Sequence, residues 1–269
     1  MKMCQVLRVS KSGYYKWVNK KEDPEKKALS DLIKIIYREH QGRYGYRRIT
    51  AEIRRAGILI NGKQVQRIMK NFGLKAVCPR RYKRTTKSDH KREVSQNILE
   101  QNFEVQRKDQ IWLADITYIK TTEGWLYLAV VMDLYSRRII GWALREYLGK
   151  ELVIEVLRKA IEGYQITANT IFHSDRGVQF TADEFRQLLN DLGITQSMSN
   201  RGNCYDNAPM ESFFHTLKNE LLLSGKLETR YKTRIAIFEY IEIYYNKKRL
   251  HSSLKYRTPD EVYSSRIIS

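Results

Sequence analysis

The sequence predicts an α/β protein in two dissimilar parts: a helical, strongly basic N-terminal region, followed by a mixed β-sheet with helices packed on it. Three observations carry that expectation. In the first hundred residues apolar side chains recur at helical spacing; from residue 111 three strand-like runs follow closely on one another; after residue 150 helical and strand patterns alternate. Charge divides the chain at similar places. Residues 1–100 hold 26 Lys and Arg against 9 Asp and Glu, residues 101–225 hold 13 against 16, and residues 226–269 hold 10 against 5. Basic flanks around a slightly acidic centre, with a net charge of +19, suit a polyanion such as DNA or RNA.

In the N-terminal region residues 31–40 follow a helical period through Leu32, Ile35, Ile36 and Glu39, and GRYGYRRIT at 42–50 opens a second helix carrying Ile49 and Ile53. Gly57 interrupts that helix. Asn61 is placed to cap a third, which ends before Gly73 and turns Val65, Ile68, Met69 and Phe72 to one side. Two helices joined by a short Gly-containing turn make a candidate helix-turn-helix. On the third helix Lys63, Arg67 and Lys70 recur at i, i+4 and i+7 beside Gln64 and Asn71. A solvated helix face is the ordinary reading of such a stripe; the basic excess around it favours nucleic acid. Arg43, Arg47 and Arg48, at the start of the second helix, are counted with Lys63, Gln64, Arg67 and Lys70 as candidate DNA contacts.

From residue 78 to 92 the sequence CPRRYKRTTKSDHKR is polar, basic and aperiodic, and reads as a linker or arm able to lie along phosphates. Strand patterns follow at 111–119, from 125 (WLYLAVVMDLYS) and from 138 (RIIGWALRE), the last two spaced as a hairpin, so an antiparallel meander is expected. Next come a helix from Lys150 to about Tyr164, a strand near Thr170 to Ser174, a helix from Thr181 to Gly193 and a short strand ITQSMS. Three antiparallel strands and then alternation is the order of a ribonuclease H-like fold, in which the first strand, the fourth strand and a late helix meet at one site. The expected divisions are 1–76 (helical, with the helix-turn-helix), 77–104 (basic linker), 105–225 (catalytic core) and 226–269 (helical, basic extension).

Three acidic residues occupy that meeting place. Asp115 is the only charge between Ile111 and Ile119, where an unpaired buried carboxylate costs several kcal/mol unless it finds a counter-charge or a metal. Asp175, in HSDRGVQF at 173–180, stands where a strand ends before a glycine. Glu211 lies in NAPMESFF at 207–214. At about 100° per residue, Asn207, Glu211, His215 and Lys218 fall within an arc of roughly 80°, and Met210, Phe214, Leu217 and Leu221 form the adjoining apolar face. Pro209 is tolerated in the first turn, with Asp206 or Asn207 as cap. The 35 residues between Asp175 and Glu211 mean little alone, because residues 101–225 contain 16 Asp and Glu. Converging, the three would hold divalent metal ions. A nucleophilic site built on His173 and Ser174 is disfavoured, since adjacent strand residues face opposite sides.

At 269 residues and 42% hydrophobic, the chain is long enough for a real core and more than one domain. It has no apolar run approaching the roughly 20 residues of a membrane span and no signal-peptide pattern, so no membrane partner and a cytoplasmic, nucleoid-associated location are expected. Cys4, Cys78 and Cys204 are far apart, which disfavours a disulfide framework or a structural zinc site.

Several motifs together resemble the transposases of the insertion-sequence three family, specifically the product of their second reading frame, related more distantly to retroviral integrases. They are SKSGYYKW at 10–17, GRYGYRRI at 42–49, WLADITYI at 112–119, DLYSRRIIGW at 133–142, HSDRGVQF, DNAPMESFF at 206–214 and YNKKRLHSSLKYRTPDEV at 245–262, spread over nearly the whole chain. The resemblance implies that Asp115, Asp175 and Glu211 are the catalytic acidic triad and metal ligands; Asp133, also near a strand, is not among those ligands and reads as structural. It implies two Mg2+ ions, with Mn2+ able to substitute, that serve DNA cleavage and strand transfer at insertion-sequence ends. Near the triad, Arg176, Gln179 and Lys218 are candidate DNA contacts. So are Lys247, Lys248 and Arg249, after a C-terminal helix expected to pack on the core. Expected partners are double-stranded DNA, further copies of the chain on that DNA, and an upstream reading-frame product fused by frameshifting. That product supplies a helix-turn-helix and a coiled coil, for which the nine or so residues before SKSGYYKW leave no room. A retroviral-type zinc domain is disfavoured, since His40 and His90 have no neighbouring Cys pair. Two alternatives stay open: a metal-dependent nuclease of the same fold without strand transfer, and a helix-turn-helix DNA-binding protein with an inactive core.

Overall fold

The computed structural model describes residues 4, 6, 9–18, 23–77, 95–162, 169–200, 204–222 and 229–265. The chain divides into two compact units, Met1–Val77 and Cys78–Ser269. The arm expected at 78–92 lies outside the described residues.

The first unit contains α1 (Lys11–Val18), α2 (Pro24–Glu39), α3 (Tyr46–Arg55) and α4 (Gly62–Asn71). α2 starts earlier than the periodicity from residue 31 predicts. Asp23 caps it by accepting the Glu25 N–H, and Pro24 takes a first-turn position where a missing N–H costs nothing. Asn61 caps α4, accepting the Lys63 N–H at 2.9 Å. Gly57 and Gly73, at φ 85° and 66°, follow α3 and α4 in the left-handed region that glycine enters without penalty. The turn between α3 and α4 is closed by Arg54, whose Nε and Nη2 both donate to the Ile60 carbonyl. Ile33, Ile36, Tyr44, Ile49, Ile53, Ile60, Val65 and Met69 form the core of this unit. Phe72, expected on the apolar face, is instead half exposed, with the Lys34 ammonium 3.9 Å from its ring centroid.

The second unit is built on one five-stranded sheet: β1 (Ile111–Thr121), β2 (Gly124–Asp133), β3 (Ile139–Arg145), β4 (Ile171–Ser174) and β5 (Thr195–Met198), in the order β3-β2-β1-β4-β5. β1, β2 and β3 form the antiparallel meander; β4 runs parallel to β1 and β5 parallel to β4. This is the ribonuclease H-like order. The β2–β3 corner is organised by Asp133, fully buried, whose carboxylate accepts the N–H groups of Asp109 and Ser136 and the Ser136 hydroxyl. Its role is structural, as the sequence indicates.

Two helices, α5 (Lys150–Ile161) and α6 (Asp183–Asp191), cover the face bearing Trp112, Ala114, Ala129, Val131 and Phe172. α5 ends before the predicted Tyr164, which lies outside the described residues, and α6 is two residues shorter at each end than predicted. α5 approaches β3 so closely that a Cβ on Gly141 would sit 2.7 Å from the Val156 carbonyl oxygen. A 3₁₀ turn at Cys204–Asn207 leads into α7 (Ala208–Leu222), which packs on β1. Beyond it, α8 (Arg230–Phe238) continues as a π-helical segment, Glu239–Tyr245, and the described chain finishes with a 3₁₀ turn, Ser252–Leu254, and α9 (Pro259–Ser264). Asn246 fixes this C-terminal part to β3: its side-chain amide accepts the Ile139 N–H and donates to the Ile139 carbonyl, both at 3.0 Å. No described helix is long and apolar enough to cross a membrane.

Candidate active site

The sheet register brings the first two predicted carboxylates together. Leu113 on β1 pairs with His173 on β4 in parallel, so Asp115 and Asp175 each stand two residues past that pair, Asp115 within β1 and Asp175 just beyond the end of β4. Asp115 is half-buried and its Oδ1 accepts the Ile116 N–H at 2.7 Å. Burial pushes its pKa well above the ordinary carboxylate value; the negative charges of Asp175 and then Glu211 push further, against a downward pull from the Ile116 N–H and Lys218. Asp175 is reachable by solvent, yet enough protein surrounds its carboxyl that desolvation raises its pKa too, in spite of a 2.9 Å bond accepted from the Gly177 N–H. A Cβ on Gly177 would sit 3.0 Å from Asp175 Oδ1 and crowd that carboxylate.

The third carboxylate is positioned by α7. Met210, Phe214, Leu217 and Leu221 are buried as the helical period predicts, with Phe213 buried beside them, while Glu211 is exposed in the first turn. The start of α7 is fixed from two sides. Asn207 donates from Nδ2 to the carbonyl of Ala114, the residue before Asp115. Asp206, predicted as one of two caps, is fully buried and accepts instead from Asn97, Gln101 and the Asn200 N–H. Lys218, two turns after Glu211, is half-buried: desolvation lowers its pKa while the Asp115 charge raises it. It is part of the carboxylate site rather than a surface cation.

Under Asp175, His173 is completely buried, with Nδ1 2.9 Å from Ser197 Oγ and Nε2 3.1 Å from Ser199 Oγ. Burial lowers its pKa to about 4, so the ring is neutral and serves as a brace between β4 and β5. Arg176 donates from Nε to the Ser199 carbonyl at 2.7 Å, which engages it with the same brace. Gln179 is half-buried along a groove lined also by Leu148, Lys150 and Glu184.

The remaining predicted contacts separate clearly. Lys63, Arg67 and Lys70 are all exposed on α4, opposite buried Val65 and Met69, and Gln64 is half-buried beside them. Arg47 is exposed next to the Tyr46 ring; Arg43 and Arg48 are half-buried, engaged with Gln41 and the Tyr44 ring. Lys247 and Lys248 are exposed. Arg249 is not a DNA contact. Its guanidinium is buried against Glu220, with Nη2 to Oε1 at 2.7 Å and Nε donating to both carboxylate oxygens. Its position in a run of basic residues gave no hint of that partner on α7. Sequence reasoning also passed over Asn97 and Gln101, whose bonds to Asp206 span more than a hundred residues.

The donors offered at the site are carboxylate oxygens, with no Cys or imidazole among them, which suits a hard cation such as magnesium or manganese. Among the described residues no three His, Cys, Asp or Glu side chains are gathered as a ready-made metal cage.

The integrase core domain family matches residues 105–204, a second integrase core domain family residues 192–259, and an HTH-like domain residues 24–82. A 31 kDa protein of insertion element IS600 from Shigella sonnei is 41% identical over 94% of this chain and 94% of its own length. The transposase for insertion sequence element IS904 from Lactococcus lactis is 40% identical, covering 90% of this chain and 95% of that protein. The transposase InsF for insertion sequence IS3A from Escherichia coli is 37% identical over 93% of this chain and 88% of its own length. Among solved structures, a chain of the simian T-cell lymphotropic virus intasome in complex with PP2A regulatory subunit B56 gamma superposes with a TM-score of 0.51 at 15% identity, covering 88% of this chain and 76% of that one, a likeness of fold. An HTH-like unit ahead of an integrase core, with Asp115 on one strand and Asp175 at the end of the next, and near-full-length kinship with these proteins, lead to one conclusion: the chain belongs to the insertion-sequence three family of DNA transposases.

Proposed function

We propose that Asp115, Asp175 and Glu211 hold two Mg2+ ions, replaceable by Mn2+, and that the chain uses them to cut DNA at the ends of its insertion sequence and join those ends to a target. The observation that carries this reading is the placement of Asp115 and Asp175 side by side past the Leu113–His173 pair, with the Glu211 charge felt at Asp115. Both carboxylates are desolvated, and the Asp175 charge adds to the cost of charging Asp115; a dication between them offsets that cost. When bound, the ions would activate the attacking oxygen and neutralise the leaving one in an in-line displacement.

The chain's own residues divide the remaining work. β1 and β4 fix the two aspartates through backbone pairing. Asn207 ties the first turn of α7 to Ala114 and so keeps Glu211 across from Asp115. Lys218 supplies a cation beside Asp115 that offsets the acidic cluster before substrate arrives. DNA is held by the exposed α4 stripe of Lys63, Arg67 and Lys70, with Gln64, Arg43, Arg47 and Arg48 adding to it, and by Lys247 and Lys248; Arg176 and Gln179 flank the scissile phosphate. The working division is residues 1–76 for DNA binding, 77–104 as linker, 105–225 for catalysis and 226–269 as a C-terminal extension. Several copies assemble on DNA, and fusion to the upstream reading-frame product adds end recognition.

The test is a reaction of the chain, alone and as the fusion, with end-labelled duplexes from its own element in Mg2+, Mn2+ or Ca2+. Joined products in Mg2+ and Mn2+, with DNA bound but uncut in Ca2+, are the expected result. Nicks without joined products would make the protein a nuclease. Equal cutting in EDTA would remove the metals from the reading.

A further inference from the structure

Next to the carboxylates, the outer end of the β1–β2 hairpin leaves large aromatic side chains in solvent. Tyr118 is 48% exposed and Trp125 is 49% exposed. The register pairs Tyr118 with Tyr127 and Lys120 with Trp125. Cross-strand partners share a face, and so do residues two apart, which places Tyr118, Lys120, Trp125 and Tyr127 together on one side of the sheet. Further in, the same face is covered by helices at Ala114 and Ala129; at the hairpin end Tyr118, Lys120 and Trp125 are exposed. Tyr118 meets Tyr127 edge to face, centroids 5.4 Å apart, which holds its ring in place. Partial burial and then the charges of Asp175, Tyr127 and Asp115 raise the Tyr118 phenol's pKa, so this ring lies within electrostatic reach of both aspartates.

We propose that Tyr118 and Trp125 form a stacking platform for unpaired bases of the DNA strand whose phosphate enters the carboxylate site. The inference rests on the reading of Asp115 and Asp175 as the place of the reacting phosphate. By the same alternation Asp115 points to the other face, but β4 pairs with β1 only as far as Leu113, so a strand with one phosphate at Asp115 and Asp175 carries its flanking nucleotides over the open edge of β1 to these rings. Rings exposed there meet the flat faces of bases, while the Lys120 ammonium on the same face complements the phosphates between them. A fully paired duplex keeps its base faces stacked on one another, so the occupant is a locally unpaired strand. Every base has such a face, which makes the platform tolerant of sequence.

The experiment compares two fluorescent 12-nucleotide strands, oligothymidine and an abasic sugar-phosphate of equal length, by anisotropy with the full chain in EDTA. Wild type binds the base-bearing strand more tightly by at least about fivefold, the lower end of what one stacked base contributes. Tyr118→Thr with Trp125→Thr, which keep strand propensity and remove both rings, bring the ratio close to one; Tyr118→Phe keeps it. Quenching of 2-aminopurine within the strand, lost in the single variants Tyr118→Thr and Trp125→Thr, gives a second readout should the double variant fold poorly. Equal binding of the two strands by wild type overturns the proposal. So does a preference that survives in a folded ring-less variant, or a loss of self-association without any change in preference, which would give the face to a second copy of the chain. Without metal no chemistry takes place, so this outcome is independent of whether the three carboxylates are the catalytic ones.

Discussion

Asp115 and His173 occupy neighbouring strands, and the fold treats their titratable groups in opposite ways. Asp115 sits among carboxylates that make its charge costly, whereas His173 is enclosed between Ser197 and Ser199 and kept neutral, its pKa lowered by burial to about 4. In the unfolded chain that ring takes up its proton near pH 6.5. Between pH 6.5 and about 4 the unfolded state therefore gains a proton that the folded state refuses, and stability falls as pH falls, by roughly 3 kcal/mol in total. Asp115 and Asp175, with raised pKa values, act in the opposite sense, so the histidine is isolated by difference. His173→Gln is expected to be less stable than wild type at pH 7 and to close most of that gap by pH 4 in urea unfolding. A gap independent of pH would contradict the neutral, buried ring. At this scale Asp115 was legible because it is the lone charge in an apolar strand; Asp133 was set apart only by the resemblance, and its buried bonds to Asp109 and Ser136 give the physical reason. The sequence marks Arg176 and Lys218 as basic side chains near acidic residues; what it does not show is that Arg176 donates to the Ser199 carbonyl and that Lys218 is half-buried within electrostatic reach of Asp115.

The elements repeat the lesson with larger consequences. Strand alternation and glycine positions foretold the meander and the ends of α3 and α4, because those signals are local. The π-helical turn at Glu239–Tyr245 was not legible, since its apolar residues also satisfy an ordinary helical period. Arg249 shows the limit most clearly: in YNKKRLH it reads as one of three surface cations, yet the turn after that segment drives it into Glu220, to which Tyr240 also donates. Removing one partner of a buried ion pair leaves the other charge unpaired, so Arg249→Ala should cost about 3–5 kcal/mol in denaturant unfolding. A loss below about 1 kcal/mol, the range of exposed pairs, would mean that the pair is solvated. The α4 stripe should behave differently. Replacing Lys63, Arg67 and Lys70 by Ala leaves stability nearly unchanged, because all three are exposed. The same change lowers the slope of log affinity against log salt by about 0.9 for each phosphate that is no longer neutralised. An unchanged slope would move the DNA surface elsewhere.

Across the whole molecule, positive charge is concentrated in the first hundred residues and Asp115, Asp175 and Glu211 lie in a slightly acidic centre, so in the proposed reading holding DNA and reacting with it fall to different residues. Phosphate contacts fix position without reading sequence. The chain alone should therefore prefer element ends to random duplex by less than about 10³-fold at near-physiological salt, the lower range for specific DNA-binding proteins. Greater discrimination in competition binding would show that this chain reads the ends unaided. The central claim, that Asp115, Asp175 and Glu211 act as one metal site, is tested most directly by Asp115→Asn, Asp175→Asn and Glu211→Gln, each assayed for DNA affinity and for Mg2+-dependent cleavage and joining of an element-end duplex. The expected result is near-normal affinity with cleavage and joining abolished in all three; strand transfer at close to the wild-type rate in any one of them would contradict it.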